Sequence, residues 1–228
     1  MVRVLGVDAC RVGWVGIVLD NGRMTAHVAS GIAALVDQAS ADGPVAVVGI
    51  DMPIGLPDNG PRQADQLARQ AVWRLRSSVF MTPTRSALGC SDHASASARN
   101  RELTGQGMSI QAYGLKPKLL EVDGWARQAA VDVVEVHPEV SFAHLAGAPL
   151  DVGKRTHDGV VRRRKLLREA GIVTDEELGT VGRGVGVDDV LDAAVVAWSA
   201  HRVAVGCAVT MPDPPEVFSD GWPAAIWS

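Results

Sequence analysis

The chain has 228 residues, 47 % of them hydrophobic, and a formal net charge of −4. This length and composition suit one globular domain with a real core and exclude a disordered segment. No apolar run reaches the roughly 18 residues that a membrane-spanning helix needs. Three scattered cysteines argue against a disulfide framework or a zinc site. We therefore expect a cytoplasmic protein with no membrane segment.

The first fifty residues predict the element order β-β-β-α-β. Three short apolar runs are predicted as strands at residues 2–7, 14–19 and 24–29. Asp20, Asn21 and Gly22 form a hairpin-type turn between the second and third strands. A helix is predicted from Ser30 to about residue 40, because apolar residues recur there at helical spacing. Residues 45–50 form a continuous apolar run, which is typical of a buried parallel strand.

The next eighty residues carry polar helical patterns separated by Pro, Ser and Thr loops. Helices are predicted at about 61–76 and 91–103. A crossover between parallel strands needs only about a dozen residues. Because this stretch is far longer, we interpret residues 58–130 as a helical insertion that lies over the sheet edge.

The last hundred residues complete a β-β-β-α-β-α-β-α pattern. A fifth strand is predicted at 131–136, a basic helix at about 159–170 and a long helix at about 188–205. Four prolines predict an irregular C-terminal tail from about 211 to 228. We expect residues 1–228 to form a single α/β domain with a mixed central sheet, flanked by helices, and an insertion between strands four and five.

Two aspartates each follow a buried strand. Asp8 ends the first predicted strand and Asp51 ends the fourth. Ligands of open α/β sheets bind beyond the carboxyl ends of the strands. If these strands are neighbours, their backbones lie about 4.8 Å apart and both carboxylates face one crevice. One such aspartate alone would be interpreted as a turn or cap residue, but two on adjacent strands favour a site.

A third acidic group opens the last long helix. Asp189 and Asp192 are three residues apart, so they share a helix face with Cβ atoms about 5–6 Å from each other. Acids in a first turn can simply complement the helix dipole, which accounts for Asp188 and Asp189. Asp192 lies a full turn inside an apolar helix, so we predict that it reaches the crevice.

Several carboxylates in one crevice repel each other unless a cation neutralises them. Hard oxygen ligands around an open site suit Mg²⁺ or Mn²⁺. Two such ions about 3.5–4 Å apart can activate a water and stabilise the leaving oxygen of a phosphodiester. That chemistry requires carboxylates from different parts of the chain and no nucleophilic side chain.

Four short motifs, in this order, carry a resemblance to a known family. They are Gly-Val-Asp at 6–8, Ile-Asp-Met-Pro-Ile-Gly-Leu-Pro at 50–57, Val-His-Pro-Glu at 136–139 and Asp-Asp-x-x-Asp-Ala at 188–193. The chain resembles the DUF429 family of predicted RNase H-like nucleases and, more broadly, the RNase H-like superfamily with the RuvC-type carboxylate pattern. The resemblance covers nearly the whole chain.

This resemblance implies an RNase H-like fold and a metal-dependent nuclease. It implies that Asp8, Asp51 and Asp192 are catalytic residues and metal ligands, with Asp189 as an auxiliary one. The chain departs from ribonuclease H enzymes, which place a glutamate on the first helix where this sequence offers Asp37. The RuvC-type arrangement does not require that glutamate.

Two further residues follow the fifth predicted strand beside the same crevice. Glu139 is a candidate extra ligand, and His137 is a candidate proton shuttle near neutral pH. The alternative is a strand-end turn stiffened by Pro138.

Basic residues are concentrated in two segments, 62–118 and 154–168, each with a local balance of +6. In the first segment the candidate contacts to a phosphate backbone are Arg62, Arg69, Arg76, Arg85, Lys116 and Lys118. The first three are spaced seven apart, which places them on one helix face. The alternative for both segments is a solvated helix surface.

Three functional hypotheses follow from these patterns. The first is a metal-dependent nuclease, or a related phosphodiester hydrolase, that acts on nucleic acid. The second is an actin-like ATPase or kinase, whose first motif also follows a Gly-x-Asp strand but which normally closes two domains around a nucleotide. The third is a non-catalytic module that binds nucleic acid or protein.

Overall fold

Seven strands form one mixed sheet in the computed structural model, which describes residues 2–172 and 184–228. The strands are β1 (Val4–Cys10), β2 (Gly13–Asp20), β3 (Arg23–Ala29), β4 (Val47–Ile50), β5 (Asp132–Glu135), β6 (Thr210–Val217) and β7 (Pro223–Trp227). Their order is β3-β2-β1-β4-β5-β7-β6; β1, β4, β5 and β7 run parallel, and the other neighbours are antiparallel. The mixed α/β fold class is confirmed, and the sheet is compatible with an RNase H-like fold.

Helices cover both faces of this sheet. They are α1 (Ile32–Ser40), α2 (Gln63–Ala71), α3 (Arg85–Leu88), α4 (His93–Thr104), α5 (Ile110–Gly114), α6 (Lys116–Ala126), α7 (Pro138–Ala146), α8 (His157–Glu169) and α9 (Val187–Ala204). A 3₁₀ helix, Trp73–Ser78, lies between α2 and α3. Among residues 2–172 and 184–228, no helix combines the length and apolarity that crossing a bilayer requires.

The predicted β-β-β-α-β opening is confirmed. The turn between β2 and β3 has positive φ angles at Asn21 and Gly22, which a tight hairpin turn of this type requires. Ile32 and Leu35 of α1 bury their side chains in a core shared with Leu5 and Val48 of the sheet.

The stretch between β4 and β5 is helical, as expected, and its helices α3, α4 and α6 pack on the sheet face that α1 covers. Leu88, Ala96 and Leu119, from α3, α4 and α6, join the same buried cluster as α1. The single helix predicted at 61–76 is wrong, however. Helix α2 ends at Ala71, and the backbone of Trp73 adopts φ 46° before the 3₁₀ helix continues.

Two expectations for the rest of the chain are also wrong. The tail is not irregular, because β6 and β7 pair within it. Proline is compatible with both strands, since β6 is an edge strand and Pro223 is the first residue of β7. Pro138 does not stiffen a turn but occupies the first turn of α7, where its missing N–H costs nothing.

Helix α9 lies directly on the backbone of β1. A Cβ atom added to Gly6 would lie 2.0 Å from the Ala197 nitrogen and 2.3 Å from the Ala193 carbonyl oxygen. Gly49 of β4 makes a second close approach, with side-chain atoms of Val196 and Ala200 at 3.1 and 3.2 Å. The two glycines therefore set the depth of α9 against the sheet.

Replacing Gly6 with alanine is expected to lower the free energy of unfolding by about 1–3 kcal/mol or more, because the added methyl group meets helix backbone that cannot yield locally. Urea denaturation followed by circular dichroism measures the change. The matched control is Gly114→Ala in α5, where a Cβ atom meets nothing within 4 Å. Equal stability of the two variants would contradict the close approach of α9.

Candidate active site

Asp8 and Asp51 lie side by side where the parallel pairing of β1 with β4 ends, although β1 itself continues past Asp8 to Cys10. In the parallel register of β1 and β4, Val7 is opposite Ile50, and the Asp51 amide donates to the Val7 carbonyl at 2.9 Å. The carboxyl groups of Asp8 and Asp51 share a hydrogen bond. The structure thus brings together two side chains that are 43 positions apart in the sequence.

A repeated Gly-x-Asp spacing aims both carboxylates at helix α9. Gly6 and Asp8 share one face of the sheet, as do Gly49 and Asp51, since side chains alternate along a strand. The glycines admit α9 to that face, and Asp192 precedes the contact residue Ala193 by one position. Asp192 is buried, and its charge raises the pKa of Asp8. The third aspartate therefore joins the pair.

Lys154 provides the positive charge within this group of three aspartates. It lies in the loop between α7 and α8, and its Nζ atom is 2.5 Å from Oδ2 of Asp192. Burial lowers the pKa of Lys154, but the carboxylates of Asp192, Asp8 and Asp51 together raise it above its ordinary value. The other carboxylate oxygen of Asp192, Oδ1, is buried and has no hydrogen-bond partner among the described residues.

Burial and mutual repulsion keep protons on the aspartates. Burial raises the pKa of Asp51 and of Asp192 to about 7, although the ammonium of Lys154 acts in the opposite direction. The pKa of Asp8 is raised well above its ordinary value, first by burial and then by the charges of Asp51 and Asp192. An added cation would relieve this repulsion.

These pKa shifts predict a pH-dependent stability when EDTA keeps the protein free of metal. Between about pH 4 and 7 the folded chain binds more protons at Asp51 and Asp192 than the unfolded chain does, since their pKa values rise from 3.8 to about 7. Their contribution is fully present below pH 4 and is lost as the pH rises through 7. We expect a smaller drop in Tm across this range for Asp51→Asn than for wild type. The exposed Asp37→Asn is the control, and equal slopes in all three proteins would refute the shift.

The acidic residues at the start of α9 have separate tasks. Gly186 is the N-cap of α9, and Asp188 and Asp189 lie in its first turn. The Asp189 carboxylate accepts the Gly186 amide at 2.9 Å, which occupies one of its oxygens. Asp188 forms an ion pair with Nε of Arg155 at 3.4 Å. Asp189 still lies beside Asp8 in the lining of one cavity.

Glu139 is bound by an arginine, although it lines the site. Both of its carboxylate oxygens accept from Nη2 of the fully buried Arg163 at 2.7 Å. Arg163 also donates to the carbonyl of Val152 at 3.1 Å and lies over the ring of Phe142. Glu139 is predicted to be an extra metal ligand, but both oxygens of its carboxylate are already paired with Arg163.

His137 is the N-cap residue of α7 and faces the same cavities. Burial lowers the pKa of its imidazole, with only partial compensation from Glu139, so the ring is neutral at pH 7. Its Nδ1 atom is buried and lacks a hydrogen-bond partner within the described ranges. A neutral ring with an unused nitrogen can accept or donate one proton.

Two adjoining cavities surround this group, with volumes of about 420 and 350 Å³. Their shared lining residues are Asp51, Ser78, His137, Lys154 and Arg155. The larger cavity also reaches Asp192, and the smaller one reaches Asp8 and Asp189. Each of the three aspartates therefore lines at least one of the two cavities, and Asp51 lines both.

The structure contradicts the predicted phosphate contact of Arg62. Arg62 is 0 % exposed, and its guanidinium donates to Glu135 at 2.6 Å and to Thr82 at 3.1 Å. It cannot reach a phosphate backbone, so this expectation is wrong. The seven-residue stripe is also wrong, since α2 ends before Arg76 and Arg69 donates to the Val79 carbonyl.

The other predicted basic contacts have protein partners as well. Arg85 pairs with Asp123 and Asp220 at 2.8 and 2.6 Å. Lys116 donates to the carbonyl of Cys90, and Lys118 donates to that of Gly13. Arg76 alone of the six is exposed, and its side chain has no hydrogen bond or ion pair within the described ranges. Lys154 and Arg155 lie at the site, but the sequence indicated them only as members of the basic segment 154–168 and not as partners of the carboxylates.

The three carboxylates are of the type that binds a hard divalent cation, but they are not arranged around a common position as metal ligands are. In residues 2–172 and 184–228, no three His, Cys, Asp or Glu side chains surround a common metal position. Asp8 and Asp51 instead bind each other, and Asp192 binds Lys154. The unpartnered Oδ1 of Asp192 and three mutually repelling carboxylates nevertheless match the ligands that Mg²⁺ and Mn²⁺ prefer.

Comparison with known proteins identifies the family. The family model of DUF429, described as a protein of unknown function, matches residues 6–217. No curated protein and no solved structure gives a significant match. Because the family match spans almost the whole chain and includes all three aspartates, the protein belongs to the DUF429 family.

Proposed function

We propose that this protein is a Mg²⁺- or Mn²⁺-dependent phosphodiester hydrolase that acts on nucleic acid. One observation carries the proposal: Asp8, Asp51 and Asp192 converge from two strands and a helix on two adjoining cavities, where they repel each other. Carboxylates from separate elements around an open site are what metal-assisted hydrolysis needs. We also propose a cytoplasmic location, since the three cysteines are free thiols.

Each residue of the site has a distinct role in this proposal. Asp8, Asp51 and Asp192 would hold the metal, with Asp189 beside them. When bound, the metal supplies an activated water and stabilises the leaving oxygen. The neutral His137 is placed to transfer a proton through its free Nδ1 atom. The exposed Arg155 lines both cavities and can bind a phosphate.

Lys154 substitutes for the missing positive charge when no metal is bound. Its ammonium forms an ion pair with Asp192, and it also attracts the negative charges of Asp8 and Asp51. Binding of a divalent cation would compete with this contact, since both need the carboxylate of Asp192. Once released, Lys154 would remain in the lining of both cavities, where a substrate phosphate provides an alternative partner.

Replacing Lys154 with methionine is therefore expected to tighten Mn²⁺ binding by roughly tenfold, which corresponds to about 1.4 kcal/mol. The variant removes the competing ammonium and keeps much of the apolar stem. Isothermal titration calorimetry with Mn²⁺ measures the change. Lys165→Met on α8 is the control, because the partner of Lys165 among the described residues is Glu169, at 3.7 Å. Unchanged or weaker Mn²⁺ binding by Lys154→Met would argue against competition.

The same ion pair favours a second candidate, a non-catalytic module. If Lys154 permanently balances the aspartates, the site holds no metal and the protein only binds its partner. This candidate predicts that Mn²⁺ raises the Tm of neither the wild type nor Lys154→Met. The hydrolase instead predicts a gain in both proteins, because a ligand that binds only the folded state stabilises it.

A further inference from the structure

Trp73 differs from the other tryptophans in its exposure. It is 59 % exposed, whereas Trp14 is buried and the remaining four are partly buried. It follows α2 after one residue and begins the 3₁₀ helix Trp73–Ser78. An isolated exposed aromatic residue can be incidental, so its surroundings decide whether it has a function.

The backbone at Trp73 is strained. Its φ angle is 46°, in the left-handed region that bulky residues rarely adopt. Glycine or asparagine would fit this position without the same cost. The indole is largely exposed, so its burial does not compensate for the strain. Such strain at an exposed position is a pointer to function when a site lies nearby.

The 3₁₀ helix connects Trp73 to the candidate active site. Leu75, Ser77 and Ser78 line the larger cavity together with Asp51 and Asp192. The Cα atoms of Trp73 and Leu75 are two residues apart along the chain, a reach of at most about 7 Å. Trp73 therefore lies within two residues of the lining of the cavity that also contains Asp51 and Asp192.

The segment that begins at Trp73, and the cavity lining next to it, carry positive charges. The Arg74 guanidinium lies 4.5 Å from the centroid of the Trp73 ring, and the exposed Arg76 follows two residues later. The side chain of Arg155, which lines both cavities, is 86 % exposed. Residues 73–78 contain no acidic side chain. An aromatic ring combined with arginines beside an acidic centre matches an unpaired nucleotide, whose base stacks while its phosphates bind cations.

We propose that Trp73 and Arg74 form a stacking platform for an unpaired base, which makes single-stranded nucleic acid the substrate class of the site. A duplex keeps its bases stacked on one another, so it offers the indole no free base without unpairing. Stacking on an aromatic ring tolerates every base, so the platform selects strandedness rather than sequence. This inference rests on the proposed function, which supplies the phosphodiester chemistry at the neighbouring carboxylates.

The test is fluorescence anisotropy with a labelled single-stranded DNA dodecamer, its RNA counterpart and the corresponding DNA duplex, all in EDTA to prevent cleavage. Trp73→Ala is expected to weaken binding of the single strands by roughly 5- to 150-fold, the effect of removing one base–aromatic stack. Trp73→Phe should keep most of the affinity, because it retains a ring. Ile110→Ala is the matched control, since Ile110 is another exposed apolar residue, on α5.

The platform would be overturned if the wild type bound no oligonucleotide, or if Trp73→Ala bound single strands as tightly as the wild type does. It would also be overturned if Trp73→Ala lost as much affinity for the duplex as for the single strands. Binding of anionic lipid vesicles that depends on Trp73, without oligonucleotide binding, would overturn it as well. The proposed hydrolase activity is tested separately, by the response of the Tm to Mn²⁺. Binding that depends on Trp73 in a protein whose Tm does not respond to Mn²⁺ would refute the hydrolase and leave the platform standing.

Discussion

Asp51→Asn is expected to reduce Mn²⁺-dependent cleavage of a single-stranded oligonucleotide by roughly 10³-fold, the scale on which losing one central electrostatic group acts. Asp51 is hydrogen-bonded to Asp8 and lines both cavities, so its charge is shared by the whole site. Asparagine keeps the shape but not the charge. Gel-based cleavage rates and the Mn²⁺-induced rise in Tm measure the loss.

Stability separates this loss from unfolding. At pH 7 in EDTA, Asp51→Asn should be at least as stable as wild type, since it removes one of the repelling carboxylates that burial disfavours. Asp37→Asn, which changes an exposed aspartate of α1, should cleave at the wild-type rate. Full cleavage by Asp51→Asn, or a Mn²⁺ response as large as that of wild type, would rule out the proposed metal centre.

Arg62→Met is expected to lower the free energy of unfolding by about 3–5 kcal/mol, because it leaves a buried glutamate without its counter-charge. Arg62 is fully buried and pairs with Glu135 at 2.6 Å. Glu135 also accepts the Ile54 amide at 2.7 Å, in the loop that follows Asp51. Loss of the arginine therefore loosens both the core and the backbone beside the site. Urea denaturation gives the magnitude.

A second substitution identifies the cause of this destabilisation. Glu135→Gln, added to Arg62→Met, should recover part of the lost stability, since the uncompensated charge is then gone. Arg76→Met changes an exposed arginine nearby and should shift the stability by no more than about 0.5 kcal/mol. No recovery in the double variant would show that packing, not charge, dominates at Arg62.

Local patterns were sufficient to predict the part of the fold that positions the aspartates. The apolar runs before Asp8 and Asp51 indicate strands whose ends meet, because continuous apolar runs of this length are buried parallel strands. The apolar helix around Asp192 could be placed on the sheet for a similar reason. The Gly-x-Asp spacing at Gly6 and Gly49 could have predicted the close approach of α9 as well.

Pairings between distant residues could not be predicted in this way. Arg62 meets Glu135 across 73 positions, and Lys154 meets Asp192 across 38. Periodicity describes which face of an element a residue occupies, but it does not identify the charged partner on another element. The basic residues were therefore predicted to contact phosphate, when most of them contact the protein. The prediction of an irregular tail was wrong for a related reason. Prolines are compatible with an edge strand, but whether a strand lies at the edge depends on the whole sheet.

Arg163 anchors the base of the loop that carries Lys154, through its bond to the Val152 carbonyl and its pair with Glu139. With the main chain held there, Lys154 can leave Asp192 by rotating its own side chain. Rotamer changes of half-exposed side chains occur within nanoseconds, whereas loop rearrangements take far longer. Uptake of an ion at the three aspartates would then be as fast as the ion's arrival and loss of its hydration water, with no slow opening step.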